Sequence, residues 1–474
     1  MRLEARVNPR VEQRPSQRLE AALSKITRAI LNLNGTQYAT LSEPEVLDGD
    51  FEIEWVGVRY VTDTSTAESI DTLFAGAELN SNTVAVDVFE ERLRVFAYNS
   101  SGNLYPSLQA TIGETSSFSD GKIQRIRVTY VSGVISLYLN DAMILTATWN
   151  IAGSVAVGVV GARTDTGSRR MAGNVFSFRV WKDGDRNTGE LVTDLRFDQS
   201  DTIYQRNYAV PVGVNLADSE PSNLRETWTD NGDGSFTAMS NGEYLAVAWS
   251  GVVAGKVYKI SYDIVHHGDG GVRVINGAVS EPWDVSTVDG HREVYVTADS
   301  TSLGFRHDSD AHFTISNISI KEWSGAILQN TLPGDWEQIT KKGSDDYWLG
   351  TENLVADEYF SQLGGFTKIG PNIWGKYGEN TASIKWYSEL VEGHRYQFKG
   401  ETLWRDPTSP WGANMSANFA GNNFNVKEVQ EHLGTKVAGS QNQQEFRINI
   451  ESSGKLEIRT DHLKRYLEYA EGAI

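Results

Sequence analysis

Ile126-Arg-Val-Thr-Tyr130, Ser132-Gly133, Val134-Ile-Ser-Leu-Tyr-Leu139, Asn140-Asp141 and Met143-Ile-Leu-Thr146 follow one another along the chain. Apolar and polar side chains alternate through these runs, the period of a strand with one face on a core. Ser-Gly and Asn-Asp are pairs that tolerate the positive φ of two-residue hairpin turns. The passage therefore predicts a three-stranded antiparallel meander. The same alternation recurs upstream, in Phe51-Glu-Ile-Glu-Trp55, Val84-Ala-Val-Asp-Val88 and Leu93-Arg-Val-Phe-Ala97, and downstream in Val175-Phe-Ser-Phe-Arg-Val-Trp181. Gly, Asn, Asp and Ser punctuate the runs, so the expected class is all-β, as antiparallel β-sandwiches in tandem.

A chain of 474 residues exceeds one ordinary domain, and 39 % hydrophobic with 10 % aromatic residues supplies several cores. The formal charge is −19, and residues 1–34 hold seven Arg or Lys against three Glu. The remaining acidic body repels phosphate backbones, so no nucleic-acid partner is expected. The absence of cysteine excludes disulfides and thiolate metal sites. No run approaches the roughly 20 apolar residues of a membrane helix, and no membrane insertion is expected. The start, Met1-Arg-Leu-Glu-Ala-Arg6, lacks the apolar core of a secretory signal.

Pro15 to Gly35 predicts the one long helix of the chain, an amino-terminal α-helix with Ser16 as N-cap and Gly35 at its end. Leu19, Leu23, Ile26, Ile30 and Leu33 are spaced by four, three, four and three, the 3.5-residue repeat of a coiled-coil seam. Those five residues are the candidates for attachment and self-association.

Residues 35–197 resemble a concanavalin A-like, or laminin G-like, jelly roll. The likeness rests on Tyr38-Ala-Thr-Leu41, Asp50-Phe-Glu-Ile-Glu54, Gly121-Lys-Ile-Gln-Arg-Ile-Arg-Val-Thr-Tyr130 and Leu137-Tyr-Leu-Asn-Asp141. Further on, Ser250-Gly-Val-Val-Ala-Gly255-Lys-Val-Tyr258-Lys-Ile260 aligns with Ser388-Glu-Leu-Val-Glu-Gly393-His-Arg-Tyr396-Gln-Phe398, 138 residues later. Trp249 and Tyr387 precede the two copies. This repeat resembles the galactose-binding-like jelly rolls that serve as carbohydrate-binding modules. The expected organisation is a basic arm and helix over 1–35, a first sandwich over 36–206, a second over 207–325, a linker over 326–348, and a third sandwich with a helical tail over 349–474.

Glycosidases place two carboxylates about 5 to 9.5 Å apart across the sugar bond. Enzymatic relatives of the first sandwich carry them in a Glu-x-Asp-x-x-Glu strand, a pattern absent here. Glu52 and Glu54 are expected on the solvated side of their strand, and no catalytic residue is assigned. Asp183-Gly-Asp185-Arg-Asn187 has the rhythm of a calcium loop, but Thr188 stands where such a loop wants glycine, so a turn is expected. His266, His267, His291, His307 and His312 are expected as surface residues in turns. No metal ligand or cofactor is assigned. Trp404, Arg405, Asp406, Trp411 and Asn414 fall in a segment with Pro407 and Pro410, expected to be a loop. Two indoles to stack on sugar rings, beside Arg, Asp and Asn for hydroxyls, make it the candidate carbohydrate-binding site.

A basic amino end followed by lectin-like sandwiches resembles the tail fibres of bacteriophage virions. That resemblance implies a non-enzymatic structural protein, made in the host cytoplasm and carried on the virion. Its partners would be other virion proteins, two further copies in a homotrimer, and host surface glycan. A capsid decoration protein or head fibre uses the same parts, and a polysaccharide depolymerase is the competing enzyme class.

Overall fold

The computed structural model describes residues 27–60, 70–76, 82–89, 92–98, 108–111, 121–149, 151, 153–164, 169–200, 202–210, 213–239, 246–276, 279–280, 288–307, 311–330, 336–341, 346–349, 355, 360–377, 382–387, 390, 394–405, 415–419, 422–426, 431–437, 445–450 and 456–470. Strands dominate them, and the 3-10 turn Leu216–Asp218 is the one helical element among the described residues. None of their helices is long and apolar enough to cross a membrane.

The meander forms as its sequence dictates. Strands Gln124–Val131, Val134–Leu139 and Ala142–Thr148 pair antiparallel. Both turns take positive φ at both central positions, Ser132 (52°) and Gly133 (79°), then Asn140 (50°) and Asp141 (64°). That is the type I′ geometry whose twist matches the flanking strands. Strand Phe51–Arg59 pairs with Gln124–Val131 on one side and with Ala172–Lys182 on the other. A second sheet runs through Tyr38–Leu47, Val155–Val160, Ile70–Ala75, Thr83–Phe89, Arg92–Tyr98 and Leu108–Thr111. Phe51, Ile53, Trp55, Ile126, Val128, Leu137 and Phe178 are buried in the first sheet, and Leu73, Phe74, Val86, Val95 and Val157 in the second.

The expected helix does not reach Gly35, because residues Thr27–Asn34 form a strand. It pairs with Ala172–Lys182 through Leu31 to Asn34 and with Trp336–Lys341 through Thr27 to Leu31. Ile30 and Leu33, expected on a coiled-coil seam, are buried side chains of this strand. The alternation Leu31-Asn-Leu33-Asn34 was the local signal, and pairing on both edges satisfies the backbone as a helix would. Residues 1–26, with Leu19, Leu23 and Ile26, lie outside the described residues.

This strand carries the sheet onward, through Trp336–Lys341, Asp346–Leu349, Leu456–Glu468, Ile373–Lys376 and Thr367–Gly370. Within the expected linker at 326–348, residues 326–329, 336–341 and 346–348 are strand. The expected helical tail is strand as well. Leu456–Glu468 pairs with Arg395–Arg405 on one side, and with Asp346–Leu349 and Ile373–Lys376 on the other. Its Leu, Lys, Arg and Glu favour a helix locally, but two-sided pairing overrides propensity. A separate sheet runs Phe360–Gly364, Ala382–Tyr387, Glu445–Ile450, Met415–Phe419, Asn422–Val426.

One compact unit holds the first sandwich together with the carboxy-terminal strands; the other is Arg206–Ile327 with Leu41–Glu43. In the first, Ile30, Val56, Val58, Tyr60, Ile123, Phe176 and Leu467 make one apolar cluster. Tyr60 stacks on His394 with ring centroids 3.7 Å apart. The second unit is a sandwich of two five-stranded sheets. One runs Asn223–Leu224, Ala246–Ser250, Ser302–His307, Val272–Asn276, Val279–Ser280, and the other Trp228–Asp230, Phe236–Met239, His312–Trp323, Val257–His266, Gly290–Thr297. Its core includes Trp228, Trp249, Tyr258, Ile260, Tyr262, Phe305, Phe313 and Ile315. Tyr258 and Ile260 in one copy of the sequence repeat, and Tyr396 and Phe398 in the other, are buried on strands.

Candidate functional site

On strand Phe51–Arg59 the alternation sends Phe51, Ile53 and Trp55 into the sandwich and Glu52 and Glu54 to the opposite face. That face is not solvated as expected, for Glu52 is 1 % exposed and Glu54 3 %. Register sets Arg127 and Arg179 on either side of Glu54. The Arg179 guanidinium lies 3.0 Å from Glu54, and its Nε donates to Asp194 at 2.9 Å. Arg127 and Arg186 reach Glu52 at 3.3 and 3.2 Å. Asp141, from the second hairpin turn, binds Arg125, Arg127 and Arg186 at 2.9 to 3.0 Å. Desolvation pushes the Asp141 carboxyl up, but the Arg186 hydrogen bond and the surrounding guanidinium charges outweigh it and hold it below the ordinary range. Carboxylates sealed under guanidinium groups cannot flank a sugar bond, so this network locks the sheet. The missed signal was cross-strand, in Arg125, Arg127 and Arg179 at the alternating positions that face the glutamates.

The segment after Ala172–Lys182 forms a turn. Asp185 accepts hydrogen bonds from the backbone N–H groups of Asn187 and Thr188 and from the Thr188 hydroxyl, at 2.9 to 3.1 Å. Those bonds depress its carboxyl, the Thr188 hydroxyl contributing most. Among the described residues, no three His, Asp or Glu side chains are grouped to hold a metal ion.

The second sandwich presents a different outer face. Tyr258, Ile260, Tyr262 and Ile264 are buried, and the alternate residues Lys259, Ser261, Asp263 and Val265 point away from that core. Asp263 stands opposite His291 in register, and a bulge after Ser261 brings Asn317, at φ 51°, beside it. Asp263 accepts from Asn317 Nδ2 at 2.6 Å and meets His291 Nδ1 at 2.7 Å. The Asn317 hydrogen bond, then that of His291, holds the Asp263 carboxyl below the ordinary range. One row along, His267 Nε2 is 2.9 Å from the Thr314 hydroxyl, itself 2.9 Å from that of Thr237. In the other direction Lys259 pairs with Glu293 at 2.6 Å, and its Nζ lies 5.7 Å from the Tyr295 ring centre. Tyr295 and Trp323 are half-buried and meet edge to face at 5.6 Å. Carboxylate, imidazole, carboxamide and hydroxyl groups thus succeed one another on a strand face beside two aromatic rings.

The histidines do not share one fate. His291 is exposed, whereas His307 is fully buried, 2.6 Å from the Thr227 hydroxyl and beside Trp228, which corrects its expected surface position. His266 sits against Asp289, which accepts its backbone N–H at 2.8 Å. That bond first, then the His266 ring, lowers the Asp289 carboxyl.

In the carboxy-terminal region, Trp404 and Arg405 belong to strand Arg395–Arg405, in register with Glu457 and Leu456 after a bulge. Leu403, Trp404 and Arg405 are thus strand where a loop was expected, and Asp406, Trp411 and Asn414 lie outside the described residues.

No protein-family model and no curated protein matches this chain. Among solved structures, it is similar to the carbohydrate-binding module CBM40 of Ruminococcus gnavus IT-sialidase bound to α2,3-sialyllactose, at 14 % identity over 34 % of this chain and 92 % of that one, with a TM-score of 0.26. It is similar to the LG4-5 domains of mouse laminin α1, at 10 % identity over 66 % of this chain and 89 % of that one, TM-score 0.26. The tandem CBM22-1 and CBM22-2 domains of Paenibacillus barcinonensis Xyn10C match at 11 % identity over 54 % of this chain and 99 % of that one, TM-score 0.19.

Proposed function

We propose that this chain is a non-enzymatic, glycan-binding structural protein of a bacteriophage virion, a trimeric tail fibre that presents its sandwiches to the host surface. The observation that carries the glycan-binding part is the outer face of the second sandwich. There Asp263, His291 and Asn317 form an accessible hydrogen-bonding set on the same sheet face as Tyr295 and Trp323. Sugar hydroxyls are recognised by such planar polar groups, and sugar rings by aromatic faces. The sealing of Glu52 and Glu54 by arginines supports binding over hydrolysis.

The segment from Trp404 to Asn414 remains a second proposed contact for glycan, and repetition across three subunits would multiply weak contacts into avidity. Attachment to other virion proteins is assigned to the basic residues before Thr27, with Leu19, Leu23 and Ile26, since the strand Thr27–Asn34 is committed to the sheet. Titration of the full chain with host envelope polysaccharide, together with an assay for released reducing sugar, tests this reading. Binding without sugar release is expected. Sugar release abolished by Glu52→Gln overturns the non-enzymatic assignment, and absence of binding overturns the glycan assignment.

A further inference from the structure

On the outer face of the second sandwich, a further row of side chains lies beyond Thr237 and Thr314. Strand Phe236–Met239 pairs with His312–Trp323 so that Thr237 stands opposite Thr314 and Met239 opposite His312. On the other side of His312, its carbonyl accepts the His267 N–H at 2.9 Å and the Gly268 N–H at 3.1 Å. The two imidazole rings lie 5.3 Å apart between centroids. Phe236, Ala238, Phe313 and Ile315 fill the core, so alternation turns Met239 and His312 to the opposite face. Met239 is 63 % exposed and packs no core. A thioether and two imidazoles thus succeed one another across three neighbouring segments, at the roughly 5 Å spacing of cross-strand neighbours.

Both rings offer a nitrogen lone pair. The Thr314 hydroxyl, 2.9 Å from His267 Nε2, is also 2.9 Å from that of Thr237. With Nε2 donating to Thr314 and Thr314 to Thr237, Nδ1 of His267 keeps its lone pair, the way a neighbouring acceptor orients a metal-bound histidine. His312 makes no hydrogen bond through its ring among the described residues. Gly268 keeps the space beside that ring open, since a Cβ there would lie 3.3 Å from His312 Cβ and 3.5 Å from Nδ1. The chain has no cysteine, so methionine sulfur and imidazole nitrogen are its soft donors. Imidazole suits zinc, nickel, iron and copper alike, whereas zinc takes its sulfur as thiolate and the uncharged thioether favours reduced copper. Copper is the metal common to both donors. We propose that Met239, His312 and His267 form a binding site for one copper(I) ion, held by one sulfur and two nitrogens. The site is independent of the glycan-binding reading, because Asp263, His291, Asn317, Tyr295 and Trp323 take no part in it.

The test uses the full chain and copper(I) alone, supplied with ascorbate in the absence of oxygen and in competition with the chromogenic chelator bicinchoninate. The chain is expected to withdraw one equivalent of copper, and X-ray absorption at the copper edge to report one sulfur and two nitrogen neighbours. His312→Ala and His267→Gln should each weaken that binding about tenfold or more. Met239→Leu, at an exposed side chain of similar volume, should weaken it as much, with the melting temperature of the copper-free chain unchanged and its binding of zinc(II) unmoved. Copper left with the chelator, or held equally by all three variants, overturns the site. Copper surrounded by nitrogen alone, and held equally by Met239→Leu, overturns the copper(I) assignment. Titration of the same preparations with host envelope polysaccharide reads the glycan-binding proposal separately, so that either can fail without the other.

Discussion

The outer face of the first sandwich and the outer face of the second are written in the same period of two, yet one is sealed and the other open. On strand Phe51–Arg59 every residue is buried, Glu52 and Glu54 under arginines and Val56 and Val58 under apolar side chains that include Leu467. Along strand Val257–His266 the residues Lys259, Ser261, Asp263 and Val265 stay accessible, with Asp263 held by His291 and Asn317. Alternation tells which side chains leave a core. It does not tell whether they meet water, because that depends on what strands distant in sequence bring alongside.

The largest effect that probes this contrast is removal of a sealed acid. Glu54→Ala leaves the guanidinium groups of Arg125 and Arg179 without their buried partner, a loss expected to cost about 3 kcal/mol in urea unfolding. The matching change on the open face, Asp263→Ala, is expected to leave the unfolding midpoint in place. Equal costs for the two would erase the distinction.

Acid sharpens it next. Burial first, and the Arg465 charge second, depress the His394 ring from 6.5 to about 3. The unfolded chain takes up a proton below about pH 6.5 that the folded chain refuses. Stability from this residue is therefore full above pH 6.5, falls as pH drops, and levels off near 3. With one pKa unit equal to about 1.36 kcal/mol, the loss at pH 5 is about 2 kcal/mol. The substitution His394→Phe should flatten that slope in melts run between pH 7 and 4. An unchanged slope would show that the ring against Tyr60 is not sealed.

Smaller again is the expected cost to binding on the open face. Asp263→Ala should weaken binding of a host-derived glycan by about tenfold, roughly 1.4 kcal/mol, at an unchanged melting temperature. A lowered melting temperature with intact affinity would assign Asp263 to the fold. The smallest effect on folding belongs to deletion of residues 1–26, which should leave the melting temperature within about 0.5 kcal/mol of stability while abolishing incorporation into particles. Incorporation at wild-type levels would retire the arm as an attachment segment.

Much of the fold was legible residue by residue. The meander at Gln124–Val131 to Ala142–Thr148 is fixed by alternation and by Ser-Gly and Asn-Asp, which accept positive φ. The residues repeated around Tyr258 and Tyr396 fall on two strands, each with its tyrosine buried. The segments misread as helix, Thr27–Asn34 and the stretch after Asp461, have compositions a helix accepts, and the partners that make them strands lie far away in sequence. Of the candidate site only His291 stood out in the sequence, as a surface residue in a turn, because no spacing rule joins residues of three strands and the bulge that brings Asn317 to Asp263 has no local signature.

The sequence by itself determined an all-β chain of sandwiches, since period, turn chemistry and the side chains available for cores are properties of neighbours along the chain. Tertiary structure alone decided which outward faces were closed. Strand pairing couples residues across more than 300 positions, as Leu31 with Trp336, and the burial of a charge such as Glu54 is set by guanidinium groups that only the assembled sheet brings within about 3 Å.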